Sequence, residues 1–125
     1  MNVGDLVVAR YKSGEYVGEL IQLDRPKAKV RTLAVRKHPT QGDLHHPEQA
    51  DVAFFHERRA LSYREVANVF ASELAPYDGA EAPDYQASLA EALDAEIATM
   101  ERRGDAFGRR ALLELEKLKR DYFGV

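Results

Sequence analysis

Two apolar stripes near the C-terminus constrain this chain more than any other feature. Tyr85, Leu89, Leu93, Ile97 and Met100 recur every three or four residues, and so do Phe107, Ala111, Leu115, Leu118 and Tyr122, with Leu112 widening the second set. That spacing places each set on one face of an α-helix. Pro83-Asp84 opens the first helix with an acid where the macrodipole favours one; Gly104 closes it, and Asp105 is placed to cap the second. A connection this short forces the helices antiparallel, so the two stripes face each other.

Upstream the apolar period changes from the helical one to that of a strand. Leu6-Val7-Val8-Ala9-Arg10-Tyr11 is rich in strand formers, and a Ser13-Gly14 step separates it from Tyr16-Val17-Gly18-Glu19-Leu20-Ile21. A two-residue step between two such runs predicts a tight hairpin. After a turn at Asp24-Arg25-Pro26, Lys27-Ala28-Lys29-Val30-Arg31 alternates basic and apolar residues, and the run continues through Leu33-Ala34-Val35. Strict alternation puts Lys27, Lys29 and Arg31 on one face and Ala28 and Val30 on the other.

A polar loop over 36–49 comes next, long for a plain connection. Asp51-Val52-Ala53-Phe54-Phe55 and Arg59-Ala60-Leu61-Ser62-Tyr63 read as two last strands, separated by His56-Glu57-Arg58. Ser62-Tyr63-Arg64-Glu65 fits a helix capping box as well as a strand; the favoured course is a strand to about Val66 and a short helical turn at 71–74. Pro76, Gly79 and Pro83 mark a linker. Five short, closely spaced strands suggest a small barrel, since closure removes exposed edges. The expected fold class is therefore α+β: an SH3-like β-barrel with a short helical turn over 1–78, then a C-terminal antiparallel helical hairpin over 79–125.

Composition excludes several kinds of chemistry. The 125 residues include no cysteine, so there is no disulfide framework, thiolate zinc site, cysteine nucleophile or thioether-linked lipid. Met1-Asn2-Val3-Gly4-Asp5 lacks the pattern of a secretory signal, and the apolar runs are far shorter than a bilayer span, so a cytoplasmic location is expected. Residues 1–80 carry 11 basic and 11 acidic side chains and residues 81–125 carry 7 and 10, which accounts for the net charge of −3. Five acids and no base lie between Asp84 and Glu101, whereas Arg109, Arg110, Lys117, Lys119 and Arg120 lie on the second helix, so charges are expected to complement each other along the hairpin.

The stretch from His38 to Arg59 gathers all four histidines (His38, His45, His46, His56) with Asp43, Glu48, Asp51 and Glu57. Histidines with carboxylates are the raw material of a metal or acid–base site, but no known ligand spacing and no HExxH is present. Solvated or structural histidines are the default, with no metal or cofactor expected. No Gly-rich phosphate loop occurs, and neither Ser13 nor Ser62 sits in a nucleophile-elbow sequence, so the expectation is a protein that is not an enzyme. The ladder Lys27-Lys29-Arg31 could contact phosphates of a nucleic acid; it could equally be a solvated face kept charged against edge pairing, and the acidic balance favours the latter. Tyr11, Tyr16, Phe54 and Phe55 could line a peptide groove, though aromatics in a small barrel are more often core.

Around the loop the sequence resembles a known family. The block Lys37-His38-Pro39-Thr40-Gln41-Gly42-Asp43-Leu44-His45 and the stretch Gln49-Ala50-Asp51-Val52-Ala53-Phe54-Phe55-His56-Glu57-Arg58-Arg59-Ala60-Leu61 are similar to the kinase-associated protein B family of spore-forming bacilli. Gly4-Asp5-Leu6-Val7, Tyr11-Lys12-Ser13-Gly14-Glu15-Tyr16-Val17-Gly18-Glu19, Pro83-Asp84-Tyr85 with Ser88-Leu89, and Leu118-Lys119-Arg120-Asp121-Tyr122 extend the likeness over nearly the whole chain. The resemblance implies an SH3-like barrel with C-terminal helices. It also implies an accessory protein that binds or activates a membrane sensor histidine kinase in the sporulation phosphorelay without carrying phosphate itself. Some family members are called lipoproteins; with no export signal and no cysteine, this sequence is expected to lack a lipid anchor and to meet the kinase in the cytoplasm. Long polar loops on rigid scaffolds carry recognition. The expected partner-binding residues are therefore His38, Asp43, His45, His46, Asp51, His56, Arg58 and Arg59, with Arg58 and Arg59 equally able to serve as loop-supporting ion pairs.

Overall fold

The computed structural model describes residues 1–124. Strands β1 (Leu6–Tyr11), β2 (Gly14–Asp24), β3 (Lys27–Lys37), β4 (Val66–Phe70) and β5 (Leu74–Pro76) form one antiparallel sheet in the order β4-β3-β2-β1-β5. A 3-10 turn, Ala71–Glu73, joins β4 to β5, and helices α1 (Tyr85–Arg103) and α2 (Ala106–Phe123) follow. Register shifts at Glu15/Tyr16, Val17/Gly18 and Leu20/Gln22 mark bulges between β2 and β3, which bend and twist the sheet. The fold is α+β with an SH3-like sheet; the sheet curls so that β1 meets β4, but no ladder joins β4 to β5.

The first hairpin turns one residue earlier than the sequence suggests. Tyr11 pairs with Gly14, leaving Lys12 and Ser13 at the tip, both with positive φ. Gly14 is needed within the strand, since a Cβ there would lie 2.6 Å from the Tyr16 hydroxyl. The alternation in β3 is as expected, with Ala28 and Val30 buried and Lys27 and Lys29 exposed. At Ala34-Val35 the alternation fails because both faces are covered there. Ala34 and Val35 are both buried, and the Val35 N–H donates to Ser88 Oγ on α1 at 3.0 Å.

The segments 51–55 and 59–63, expected as strands, are irregular; the fourth and fifth strands lie downstream instead. The physical reason is where their backbone groups find partners. The Arg58 N–H donates to Gln41 Oε1 (2.8 Å), the Ala60 N–H to the Tyr122 hydroxyl (2.9 Å) and the Leu61 N–H to the Tyr16 hydroxyl (3.3 Å); the Tyr85 hydroxyl donates to the Leu61 carbonyl. Side chains from three other elements take the place of a neighbouring strand. The Ser62-Glu65 half of a capping box does form, with the Ser62 N–H donating to Glu65 Oε1 at 2.8 Å, but it closes a turn ahead of β4 rather than opening a helix.

The helical hairpin matches its sequence pattern. Asp84 caps α1 by accepting from the Ala87 N–H (2.9 Å), Gly104 ends it in the left-handed conformation, and Asp105 accepts from the Gly108 N–H (2.8 Å). Arg103 lies over the Phe107 ring at the turn while Lys119 reaches Asp94 farther along, the arrangement of an antiparallel pair. Lys119–Asp94, at 3.7 Å, is the inter-helix ion pair among the described residues. Arg110 (2.7 Å) and Lys117 (3.0 Å) turn instead to the buried Glu114 on their own helix.

The core has three adjoining parts. Val7, Ala9, Leu20, Ala28, Val30, Ala67 and Val69 fill the sheet. Leu93, Ile97, Met100, Phe107, Ala111 and Leu115 fill the hairpin, with Phe55 of the long loop packed on them. Tyr16, Val35, Ala60, Leu89 and Ala92 join the two. Fully burying one large aliphatic side chain contributes about 1.5–3 kcal/mol, so the hairpin is seated on its own sheet by a continuous apolar contact.

Candidate functional site

The connection 38–65 crosses from the end of β3, over the hairpin, to the start of β4. Its entry is buried. His38 is fully enclosed, with Nδ1 3.0 Å from the Pro39 carbonyl oxygen and Nε2 2.9 Å from the Tyr122 hydroxyl. The carbonyl can only accept, so Nδ1 carries the proton and Nε2 accepts from Tyr122, whose oxygen in turn accepts from the Ala60 N–H. Burial, with Lys37 and Arg59 nearby, lowers the His38 pKa to about 4 despite the Pro39 contact. Of the expected contact residues, His38 is therefore the one that faces the interior and supports the surface from beneath.

Gln41, 3 % exposed, fixes the loop's width. Its amide accepts from the Arg58 N–H and donates to the Arg58 carbonyl (2.9 Å), while the Gly42 N–H donates to the His56 carbonyl (3.0 Å). Gly42 has φ +103 and lies against the Phe55 ring, a conformation and a closeness that side chains rarely tolerate. The arrangement brings Gly42-Asp43 beside His56 and Arg58, and Arg58 Nε donates to the Gly42 carbonyl at 3.0 Å.

Asp43, His45 and His46 form one turn. Asp43 accepts from the His45 N–H (2.9 Å) and from His46 Nδ1 (3.0 Å), and these bonds hold its carboxyl below the ordinary range, His46 contributing most. Arg103 on the hairpin ties down the next segment through Glu48 (2.8 Å). Asp51 is exposed farther along. Phe55 packs on Phe107 (centroids 5.9 Å apart) beneath the Arg110 guanidinium, whereas its neighbour Phe54 is 71 % exposed and stacks on His56. Arg59 reaches Asp121 (3.2 Å) and Glu57 (3.8 Å) and lies over the Tyr122 ring. The supporting role weighed for the two arginines thus applies to Arg59 as an ion pair and to Arg58 as a hydrogen bond to backbone. Among the described residues no group of three His, Asp or Glu side chains is placed to hold a metal ion.

Of the four aromatics weighed as groove or core, Tyr16 is buried, Tyr11 and Phe55 are half-buried and Phe54 faces solvent. Gln41 and Tyr122 are the parts of the site the sequence did not single out, and Phe54, weighed as groove or core with core favoured, proves exposed. Tyr122 carried a signal only as a member of an apolar stripe, and nothing in the sequence marked Gln41 as buried.

The basic ladder is on the far sheet face. Lys27 Nζ sits 4.0 Å from the Phe70 ring centroid, Arg31 pairs with Glu19 at 3.2 Å, and Asp24 and Phe70 flank Lys27 on the neighbouring strands. Two of its three cations are thus engaged locally, which leaves little for a row of phosphates.

Comparison with known proteins adds a family. A family model described as "Kinase associated protein B" matches residues 11–123. A protein of Bacillus subtilis (strain 168) named "Kinase-associated lipoprotein B" is 45 % identical over 120 residues, covering 96 % of this chain and 93 % of the relative. The crystal structure of kinase-associated protein B from Bacillus cereus superposes with a TM-score of 0.83 at 36 % identity, covering 98 % of this chain and 97 % of that one.

Proposed function

This chain belongs to the kinase-associated protein B family, and we propose that it works as a non-enzymatic accessory protein that binds a membrane sensor histidine kinase feeding the sporulation phosphorelay. A kinase-associated role follows from the names its relatives carry. The kind of kinase and the phosphorelay are the finer part of the proposal. It places the protein in the cytoplasm, against the kinase's cytoplasmic part.

The observation that carries the reading is Phe54. A side chain of this size, 71 % exposed, stands on a loop pinned on one side by Gln41 and Arg58 and on the other by Phe55 and Glu48. A rigidly mounted aromatic that the fold leaves unburied is what a partner's pocket takes as an anchor. In this reading His56, stacked on Phe54, and Asp43, His45, His46, Asp51, Arg58 and Arg59 of the same connection supply the polar contacts, and buried His38 supports the loop from beneath.

Calorimetric titration of the kinase's cytoplasmic domain into the purified chain tests this. Phe54→Ser is expected to weaken binding by roughly tenfold or more, the loss typical of an interface anchor, with smaller losses for Asp43→Ala and Arg58→Ala. Equal affinity for all three variants and the parent removes the loop as the contact surface.

A further inference from the structure

A cleft of about 260 Å³ lies between the β1–β2 turn and the segment 57–65, lined among others by Tyr11, Lys12, Pro39, Arg58, Leu61 and Glu65. Its outer wall is an unusual turn. Two-residue hairpins with positive φ at both positions favour Asn-Gly or Asp-Gly, because other side chains are strained there. Here the positions hold Lys12 (φ 46) and Ser13 (φ 69). The turn is clamped from the far side: Ser13 Oγ accepts from the Thr40 N–H (3.0 Å) and the Ser13 carbonyl from Lys37 Nζ (3.4 Å). The Lys12 backbone is thereby held at the rim, and its exposed side chain places the ammonium 5.2 Å from the Tyr11 ring centroid. Strain held in place by its surroundings points to a role for the residue that bears it.

The inner wall offers a second cation. Arg58 is held by its backbone on Gln41 and by Nε on the Gly42 carbonyl, so its terminal nitrogens stay available. Neither Lys12 nor Arg58 forms an ion pair with a carboxylate among the described residues, whereas Arg59 is occupied by Asp121 and Glu57. Of the acids at the cleft, Glu57 pairs with Arg59, while Glu65 keeps its charge and accepts from the Ser62 N–H. The lining thus holds the cations Lys12, Arg58 and Arg59 against the carboxylates Glu57 and Glu65, a small positive excess. Two cations without a carboxylate partner of their own therefore flank a floor of Tyr11, Pro39 and Leu61.

We infer that this cleft takes an acidic peptide segment of a partner protein, a carboxylate set against Lys12 and Arg58 and an apolar neighbour on the tyrosine–leucine floor. An arginine with free terminal nitrogens matches a carboxylate's two oxygens. Two cations are too few for a nucleic acid, whose affinity rests on many phosphates neutralised at once. The inference rests on the proposal that the chain binds a protein partner, and it names the chemistry of the segment that the Arg58 end of that surface receives.

The test is a titration of the isotopically labelled full chain with a synthetic capped peptide, Ala-Glu-Leu-Glu-Tyr-Glu-Ala, read by amide chemical shifts at low and high salt. Expected are shifts confined to residues 11–13 and 57–61 that weaken with salt, are absent with the lysine counterpart of the peptide, and fall by roughly tenfold in affinity in Lys12→Glu. Lys12→Arg, which keeps the charge, is expected to bind as the parent does, separating a lost cation from a damaged turn. No shifts, shifts elsewhere, equal shifts from both peptides, or shifts at these residues from a short RNA or DNA in place of the peptide each overturn the assignment. Kinase-domain binding unaffected by Lys12→Glu also overturns it while leaving the kinase proposal standing. Peptide binding at the cleft without any kinase binding supports the assignment and overturns the kinase proposal.

Discussion

His38 Nε2 and the Tyr122 hydroxyl, 84 residues apart in sequence, meet at 2.9 Å and lock the end of β3 to the last turn of α2. The same hydroxyl holds the Ala60 backbone, so one oxygen joins the sheet, the long loop and the hairpin. Tyr122→Phe keeps the ring but leaves the Ala60 N–H and the His38 nitrogen without a partner. A loss of about 1–3 kcal/mol is expected, measured by urea unfolding followed by circular dichroism.

The buried imidazole also sets a pH window. In the unfolded chain His38 titrates near 6.5; in the fold it does so near 4. Between those values the unfolded state binds more protons, so stability is complete above the upper value and falls as pH drops towards the lower one. The loss is on the order of 3 kcal/mol. His38→Gln is expected to flatten the stability–pH curve in that window, and an unchanged slope would show that another group governs it.

Gly104 isolates a backbone effect. It ends α1 with φ +66, and a Cβ added there would meet nothing within 4 Å. Gly104→Ala is therefore expected to cost about 1 kcal/mol through the left-handed conformation alone. Gly104→Asn, a residue that tolerates this conformation, is expected to cost less in the same urea experiment.

Glu96 is a charge the fold would be better without. It is 8 % exposed on α1, and burial raises its pKa, with Lys37 offsetting part of the effect. A carboxyl whose folded pKa is raised weighs against folding once the unfolded carboxyl has ionised. Glu96→Gln is expected to raise the melting temperature at neutral pH, with the gain shrinking as pH falls into the carboxylate range.

The helices, their caps and the alternation in β3 were legible because each rests on local spacing. The stripes from Tyr85 to Met100 and from Phe107 to Tyr122 name the buried faces directly, and Asp84, Gly104 and Asp105 stand where capping requires. The fourth and fifth strands were misplaced because segments 51–55 and 59–63 have strand-like composition but bond to side chains brought from afar, among them Gln41, Tyr16 and Tyr122. No local pattern encodes such partners. The candidate surface was half legible for the same reason: the loop's chemistry placed Asp43, His45, His46 and Arg58 together, while the burial of His38 and the exposure of Phe54 depend on where α2 ends and how Phe55 turns inward.

Hydrogen exchange of the full chain, with and without the kinase's cytoplasmic domain, tests the central claim most directly. Slowed exchange concentrated at 42–59 around Phe54, with the outer face of β3 and β4 unchanged, is the result expected of a loop-borne contact. Protection confined to Lys27, Lys29, Arg31 and their neighbours on β4, or to the outer face of the hairpin, would contradict it.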